Sequence, residues 1–257
     1  MLRFTLQRML ESLAVLAAVA FLSYGLMGLM PGDPIDLMIN ANPDLTPADA
    51  ARLKAIYGLD QPIMTRFLAW AQDLLAGDFG YSRIYGQPVV DVLWPRLSNT
   101  LTLMLPALLL SLALAIPLGM LAAMRPYSWL DYGVNLFSFA GLSVPSFWLS
   151  LLAILVFAVT LGWLPASGSD GEGGGLAQRI HHMILPVAVL TISSVGSYIR
   201  FMRAATMQVL RQDYIRTARA KGLSSPQLMR GHVLRNAILP LVTVVALSLG
   251  SLFSGTL

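Results

Sequence analysis

The sequence predicts an all-α membrane protein, and three observations lead to that class. Of its 257 residues 56% are hydrophobic and only 12% charged, with a mean hydropathy of +0.68. An average soluble domain carries about 25% charged residues. Five apolar stretches reach the roughly 20 residues a helix needs to cross the hydrocarbon of a bilayer. The basic residues, finally, are divided unevenly among the connections between those stretches. The same composition excludes a water-soluble globule, which would expose too much hydrocarbon, and intrinsic disorder, which requires low hydrophobicity and high charge. There is no cysteine, so disulfides, thiolate metal sites and cysteine nucleophiles are excluded together. A net charge of +4 resembles a nucleic-acid signal only until the charges are located.

The first stretch runs from about Met9 to Met30, the second from Leu101 to Ala123, the third from Val134 to Leu161. The fourth, Met183 to Met202, is the most polar, with Thr191, Ser193, Ser194 and Ser197; the fifth reaches from Ala237 to Leu257. Arg3, Arg8 and the small run Ala18-Val19-Ala20 would also fit a signal peptide, but the apolar run continues to Met30, too long for a signal core. Basic residues fix the orientation. The N-terminus, the Arg125 loop and the segment Tyr198–Asn236 hold 11 of the 17, against 6 in the 31–96 and 162–182 loops. The denser set belongs in the cytoplasm. The N-terminus is therefore expected inside and the chain is expected to be C-terminally incomplete, because a fifth span leaves its end outside with no polar cap.

Between the spans, Thr46-Pro47-Ala48-Asp49 reads as a helix start and Gly58 as its end. A second external helix follows Gln61-Pro62, with Ile63, Phe67, Trp70 and Leu74 along one face. Asp170 and Glu172 lie in a glycine-rich connection and are too few to hold a cation. After the fourth span, Asp213 is placed to cap a short helix, Tyr214 to Lys221, which Gly222 ends. Ser225-Pro226 starts another. Small residues Thr217, Ala218 and Ala220 would let a foreign surface approach the first of these helices closely. The residues alone leave docking of a protein and contact with anionic lipid equally open.

Much chemistry is excluded. No glycine-rich phosphate loop ends in Lys-Ser or Lys-Thr, and the only lysines are Lys54 and Lys221. His181 and His182 are adjacent and point apart on a helix, so they form no i, i+4 metal pair. The spans as placed hold no ionisable residue at mid-depth, which argues against a secondary transporter working alone. Pro117-Leu118-Gly119 and Val144-Pro145-Ser146 fall inside spans, where they kink helices for packing or open a polar lining. Ala246, Gly250 and Ser254 form a small-residue ridge on the fifth span.

An ordered set of motifs then covers the whole chain: Pro31-Gly32-Asp33-Pro34, Tyr57 to Pro62, Gly77-Asp78-Phe79-Gly80-Tyr81-Ser82, Asn99-Thr100-Leu101, Ser143 to Trp148, Gly162 to Gly168, and Asp213 to Ser224 followed by His232 and Arg235-Asn236-Ala237. In this order they resemble the inner-membrane permeases of bacterial dipeptide and oligopeptide ABC importers, which have the type I permease fold. The resemblance implies six spans, of which five are visible. It implies an N-terminal span (1–30), a periplasmic helical loop (31–96) and a permease core (97–257) with a cytoplasmic coupling loop at 203–236. It further implies a homologous second permease, two cytoplasmic ATPases that carry the ATP and Mg, a periplasmic or lipid-anchored solute-binding protein, and no nucleic acid, cofactor, metal or catalytic residue in this chain. Coupling to the ATPases would fall to Tyr214, Thr217, Ala218, Ala220, Lys221, Gly222, Leu223 and Ser224. Asn99, Ser143, Pro145, Ser146, Ser193 and Ser194 would line the path. Arg216-Thr217-Ala218 stands where the general importer pattern begins Glu-Ala-Ala, and the gap from Gly222 to Leu239-Pro240 is longer than in sugar importers; both features match the peptide branch. The same scaffold also imports nickel, glutathione or peptide antibiotics, and a membrane anchor would need no solute flux.

The charge asymmetry makes a direct prediction. A reporter active only outside the cell should work when fused at Asp73 or Gly173 and fail at Arg125 or Lys221; activity at Lys221 would overturn the orientation.

Overall fold

The structure is a computed structural model that describes residues 2–29, 46, 48, 52, 54–55, 58–82, 84–168 and 175–252. The Pro31–Pro34 motif, most of the first external helix, and Asp170, Glu172 and Gly173 lie outside the described residues. The chain divides into two units, Met1–Val92 and Leu93–Leu257.

In the first unit α1 (Leu2–Leu29) is a long apolar helix and α2 (Ile63–Leu75) follows Pro62. Proline there sets φ and needs no N–H, as a helix start allows. The apolar face of α2 packs on α1: Phe67 meets Phe21 edge-on at 5.1 Å, and Trp70 lies 5.6 Å from Tyr24. Gly58 takes φ +62° and the Leu59 N–H returns to the Lys54 carbonyl, the expected helix ending. A small hairpin, β1 (Tyr81–Ser82) with β2 (Gln87–Pro88), pairs Tyr81 with Pro88 and Ser82 with Gln87.

The second unit is a helical bundle. Helix α3 (Val89–Met124) starts twelve residues before the apolar run, and Pro95, Pro106 and Pro117 lie inside it. The third span bends at Val144-Pro145-Ser146, where the sequence places a kink, and the bend is a full break. The span is divided into α4 (Trp129–Ser143) and a second piece, α5 (Ser146–Ala153) continued by π-helical turns Ile154–Thr160, at 96° to the first. The cause is local. A residue before proline avoids helical dihedrals, and Val144 is extended (φ −93°, ψ 121°) ahead of Pro145, which has no N–H to donate. Helix α6 (Leu176–Leu210) runs well past both ends of the fourth predicted span. Then come α7 (Asp213–Ala220), the short α8 (Ser225–Leu228) with π-helical turns Met229–Val233, and α9 (Leu234–Leu252). Among the described residues, α1, α3, α6 and the run Ser225–Gly250 are long and apolar enough to cross a membrane; the bent pair makes a fifth span if counted as one.

The core lies along α6. Val195, Tyr198, Ile199, Met202 and Ala205 pack with Leu108 and Ala115 of α3 and with Ala237 and Leu241 of α9. Lipid gives no hydrophobic reward for joining helices, so close approach through small residues replaces it. A Cβ on Gly196 would stand 2.5 Å from the Ser138 carbonyl of α4, and one on Gly119 would stand 2.8 Å from Met202 Cβ. Ser111 of α3 then reaches Ser194 of α6, Oγ to Oγ, at 2.9 Å.

Gly196→Leu should therefore force α4 off α6 and cost about 1–3 kcal/mol of overpacking, read as a lower unfolding temperature in detergent. Gly133→Ala, where a Cβ meets nothing within 4 Å, is the control and should change little.

Candidate functional site

The segment after α6 folds back on itself into a small, self-packed unit. Ile215 and Ala218, three apart on α7, are buried against Leu228, Met229 and Val233, with Val209, Leu210, Leu223 and Met120 around them. Gly222 makes the bend. Its φ is +85°, it donates to the Arg219 carbonyl at 2.9 Å, and Leu223 N–H donates to the Ala218 carbonyl at 3.3 Å. The backbone crosses the left-handed region there, where only glycine is free of a Cβ penalty.

Two capping assignments need correction. Asp213 is the first residue of α7 and not its cap; from there its carboxylate favours the positive end of the helix electrostatically. The cap of α8 is Ser224 and not Ser225, and the Ser224 N–H and hydroxyl both donate to Gln227 Oε1, at 3.0 and 2.8 Å. Pro226 thus falls one position later than a first-turn cap-proline pair would place it.

Of the predicted docking residues, Tyr214, Thr217, Ala220, Lys221, Gly222 and Ser224 are exposed on this unit and Leu223 is half-buried. Ala218 is the exception: it is 7% exposed and faces the chain's own α8, because the i, i+3 spacing to Ile215 puts it on the inward face. The exposed surface is basic, with Arg211, Arg216, Arg219 and Lys221 all at the surface and Asp213 3.6 Å from Arg216.

The predicted path residues do not converge on one site. Asn99 lines a cleft of about 240 Å³ with Thr102, Arg179 and His182. Ser143, Pro145 and Ser146 are exposed at the break between α4 and α5, and Ser143 donates its hydroxyl to the Phe139 carbonyl at 2.8 Å. Ser194 is committed to the α3–α6 contact through Ser111 and donates to the Leu190 carbonyl. Ser193, next to it, is half-buried with no hydrogen-bond partner for its hydroxyl among the described residues. His181 donates Nε2 to the Trp163 carbonyl, while His182 donates Nδ1 to that of Gln178; the two rings stand nearly perpendicular. Among the described residues no group of three or more His, Asp or Glu is placed to hold a metal.

Sequence reasoning missed a polar centre on the same helices. Asp131 of α4 is 2% exposed and carries a two-toothed ion pair with Arg203 of α6, Nε to Oδ1 and Nη2 to Oδ2, both at 2.6 Å. Asn135, Ser197, Arg200 and Phe201 line a cleft of about 440 Å³ beside it, and the Arg200 guanidinium lies 5.0 Å over the Phe139 ring. The signal for the pair was a lone acid opening an apolar helix and an arginine just past the end of another.

Two family models match the chain. One, described as a binding-protein-dependent transport system inner membrane component, matches residues 115–257; the other, the N-terminal part of such membrane components, matches residues 1–104. An oligopeptide transport system permease protein of Bacillus subtilis is 40% identical over 259 residues, covering 100% of this chain and 81% of that protein. A putative peptide permease protein of Brucella suis is 36% identical, covering 100% of this chain and 82% of its own. A probable peptide ABC transporter permease protein of Sinorhizobium fredii is 34% identical over 98% of this chain and 80% of its own.

Proposed function

This chain belongs to the family of binding-protein-dependent transport system inner membrane components, and on that premise we propose that it is the subunit through which di- and oligopeptides cross the bacterial inner membrane in an ATP-driven importer. It is a multi-pass inner-membrane permease. The peptide substrate is supported by relatives along the whole chain that carry peptide or oligopeptide permease names. The N-terminus lies inside, and residues 97–257 form the core that pairs with a second, homologous permease. A solute-binding protein delivers the peptide from outside. ATP hydrolysis belongs to two partner ATPases and not to this chain.

The observation that carries the mechanism is the self-packed helix–turn–helix after α6. Its inward face is closed by Ile215 and Ala218, so it can meet a partner as a preformed body. Tyr214, Thr217, Ala220, Lys221, Gly222 and Ser224 are the surface that meets the ATPase. Ala218 and Leu223 support that surface from within. A preformed element loses little conformational entropy on docking and transmits displacement rather than absorbing it. When the ATPases close on ATP, this element is carried with them and the attached helices change access to the path.

The reconstituted complex, with its partner subunits, should take up di-, tri- or oligopeptides with ATP; failure across such a panel would overturn the substrate assignment. Gly222→Val isolates coupling. A Cβ there meets nothing within 4 Å, so the cost is confined to the backbone, about 1–2 kcal/mol in the left-handed region. Insertion and abundance should stay near wild type while stimulated ATP hydrolysis and uptake fall together. Arg230→Ala should do much less. Uptake at the wild-type rate in Gly222→Val would show that this segment does not couple.

A further inference from the structure

The Asp131 carboxylate is satisfied by donors from three pieces of chain. Arg203 on α6 supplies two hydrogen bonds, Asn135 on α4 donates Nδ2 to Oδ1 at 2.8 Å, and the Tyr127 N–H donates to Oδ2 at 2.9 Å. Tyr127 belongs to the turn between α3 and α4 and holds φ +63°, the only positive φ of a non-glycine among the described residues. Such a conformation persists where its surroundings over-determine it, and here it aims an N–H at the carboxylate.

We propose that the Asp131–Arg203 pair is the joint that makes α4, α6 and the helix–turn–helix move as one body, so that displacement of that segment reaches the break at Val144–Pro145. The proposal rests on the transport function above. Its residues are positioning residues: Asp131 is enclosed, and neither residue belongs to the surface assigned above to the ATPase.

The placement of the pair supports this role. Arg203 stands six residues before Val209, about 9 Å along α6 at the rise of an α-helix, and Val209 packs on the segment. At the same level a Cβ on Gly119 of α3 would lie 3.0 Å from the Arg203 backbone nitrogen. The next residue, Met120, also packs on the segment. Helices α3 and α6 therefore meet the segment near this level, and the ion pair ties α4 to α6 there. From there α4 runs to Ser143, so Asp131 anchors one end of a lever whose other end is the break.

The chemistry supports it as well. Apolar contacts between helices slide at small cost, because one hydrocarbon neighbour replaces another. A bidentate pair with one enclosed partner does not slide: separating it leaves the buried Asp131 carboxylate without its cation. The fork of Arg203 also fixes angle as well as distance. Arg200, one turn earlier, also reaches α4, but only by laying its guanidinium over the Phe139 ring, with no carboxylate to fork onto.

The chain has no cysteine, which permits a direct test with cysteine-free partner subunits. Spin labels are placed at Tyr132 on α4 and Arg230 in the segment, both exposed, in the assembled complex. The label–label distance in the otherwise wild-type chain should be the same with and without ATP. In Asp131→Asn and Arg203→Gln it should change or broaden on ATP, and in Arg203→Lys it should do so less. Peptide uptake per ATP should fall about tenfold in the two neutral variants, with the double variant no worse than either single one. Arg200→Gln should match wild type. A wild-type distance that changes with ATP would overturn the proposal. So would a neutral variant whose distance stays as narrow as wild type, or one that loses uptake only in proportion to its abundance. If the wild-type complex imports no peptide, the transport reading fails, and the distances still decide this one.

Discussion

How closely other helices can approach α6 is the constraint on which the bundle depends. In hydrocarbon, burying a leucine against a helix gains little over burying it in lipid, so packing density decides association. Glycine supplies that density at three places along the bundle. Gly196 of α6 lies against the Ser138 carbonyl, Gly141 of α4 against that of Ile192, and Gly119 of α3 against that of Ile199. Once backbones stand this near, short side chains can span the gap. Ser111 reaches Ser194, and Asp131 reaches Arg203. With helices held apart by a leucine-sized spacer, neither contact could form.

Hydropathy made the spans legible because it reports length and apolarity, and these are what the bilayer demands. It said nothing about direction. The run Val134–Leu161 stays apolar through Val144-Pro145, so the sequence read as one span what the backbone turns through 96°. Helix ends were equally hidden: Asp91, Pro95 and Arg96 stop the apolar run, yet the hydrogen-bond ladder of α3 starts at Val89. Gly222 was legible because one residue type suits one backbone region. The inward turn of Ala218 was not, since small residues occupy both faces of α7 and only the packing of Ile215 chooses between them.

The Asp131–Arg203 pair was hidden for a different reason. Each residue sits at the edge of an apolar run; Arg203 entered the orientation count as a loop charge, and Asp131 entered no count at all. The partners are 72 residues apart, and no periodicity within one helix links them. A charge at the edge of a span either reaches into the interface water or finds an opposite charge on a neighbouring helix. The geometry chooses the second for Asp131, whose carboxylate is enclosed, while Arg203 keeps part of its side chain at the neighbouring cleft.

Comparing magnitudes shows where this half of the chain is stiff and where it yields. An isolated helix of eight residues such as α7 is marginal in water. Burial of Ile215, Leu228, Met229 and Val233 together contributes several kcal/mol at about 1.5–3 kcal/mol for each large side chain, so the segment holds its shape. Removing one partner of a buried ion pair costs about 3–5 kcal/mol, so the base of α4 is tied to α6 as well, though by less than the burial that holds the segment together. At Val144–Pro145 no comparable interaction is available. Pro145 offers no N–H, Val144 is extended, and the ladder of α4 cannot run on into α5. On the proposed joint, a displacement applied at α7 would be delivered along α4 and taken up where the two pieces of the third span meet. Ser143 and Ser146 are exposed at that point, which puts hydroxyls on both sides of the interrupted ladder.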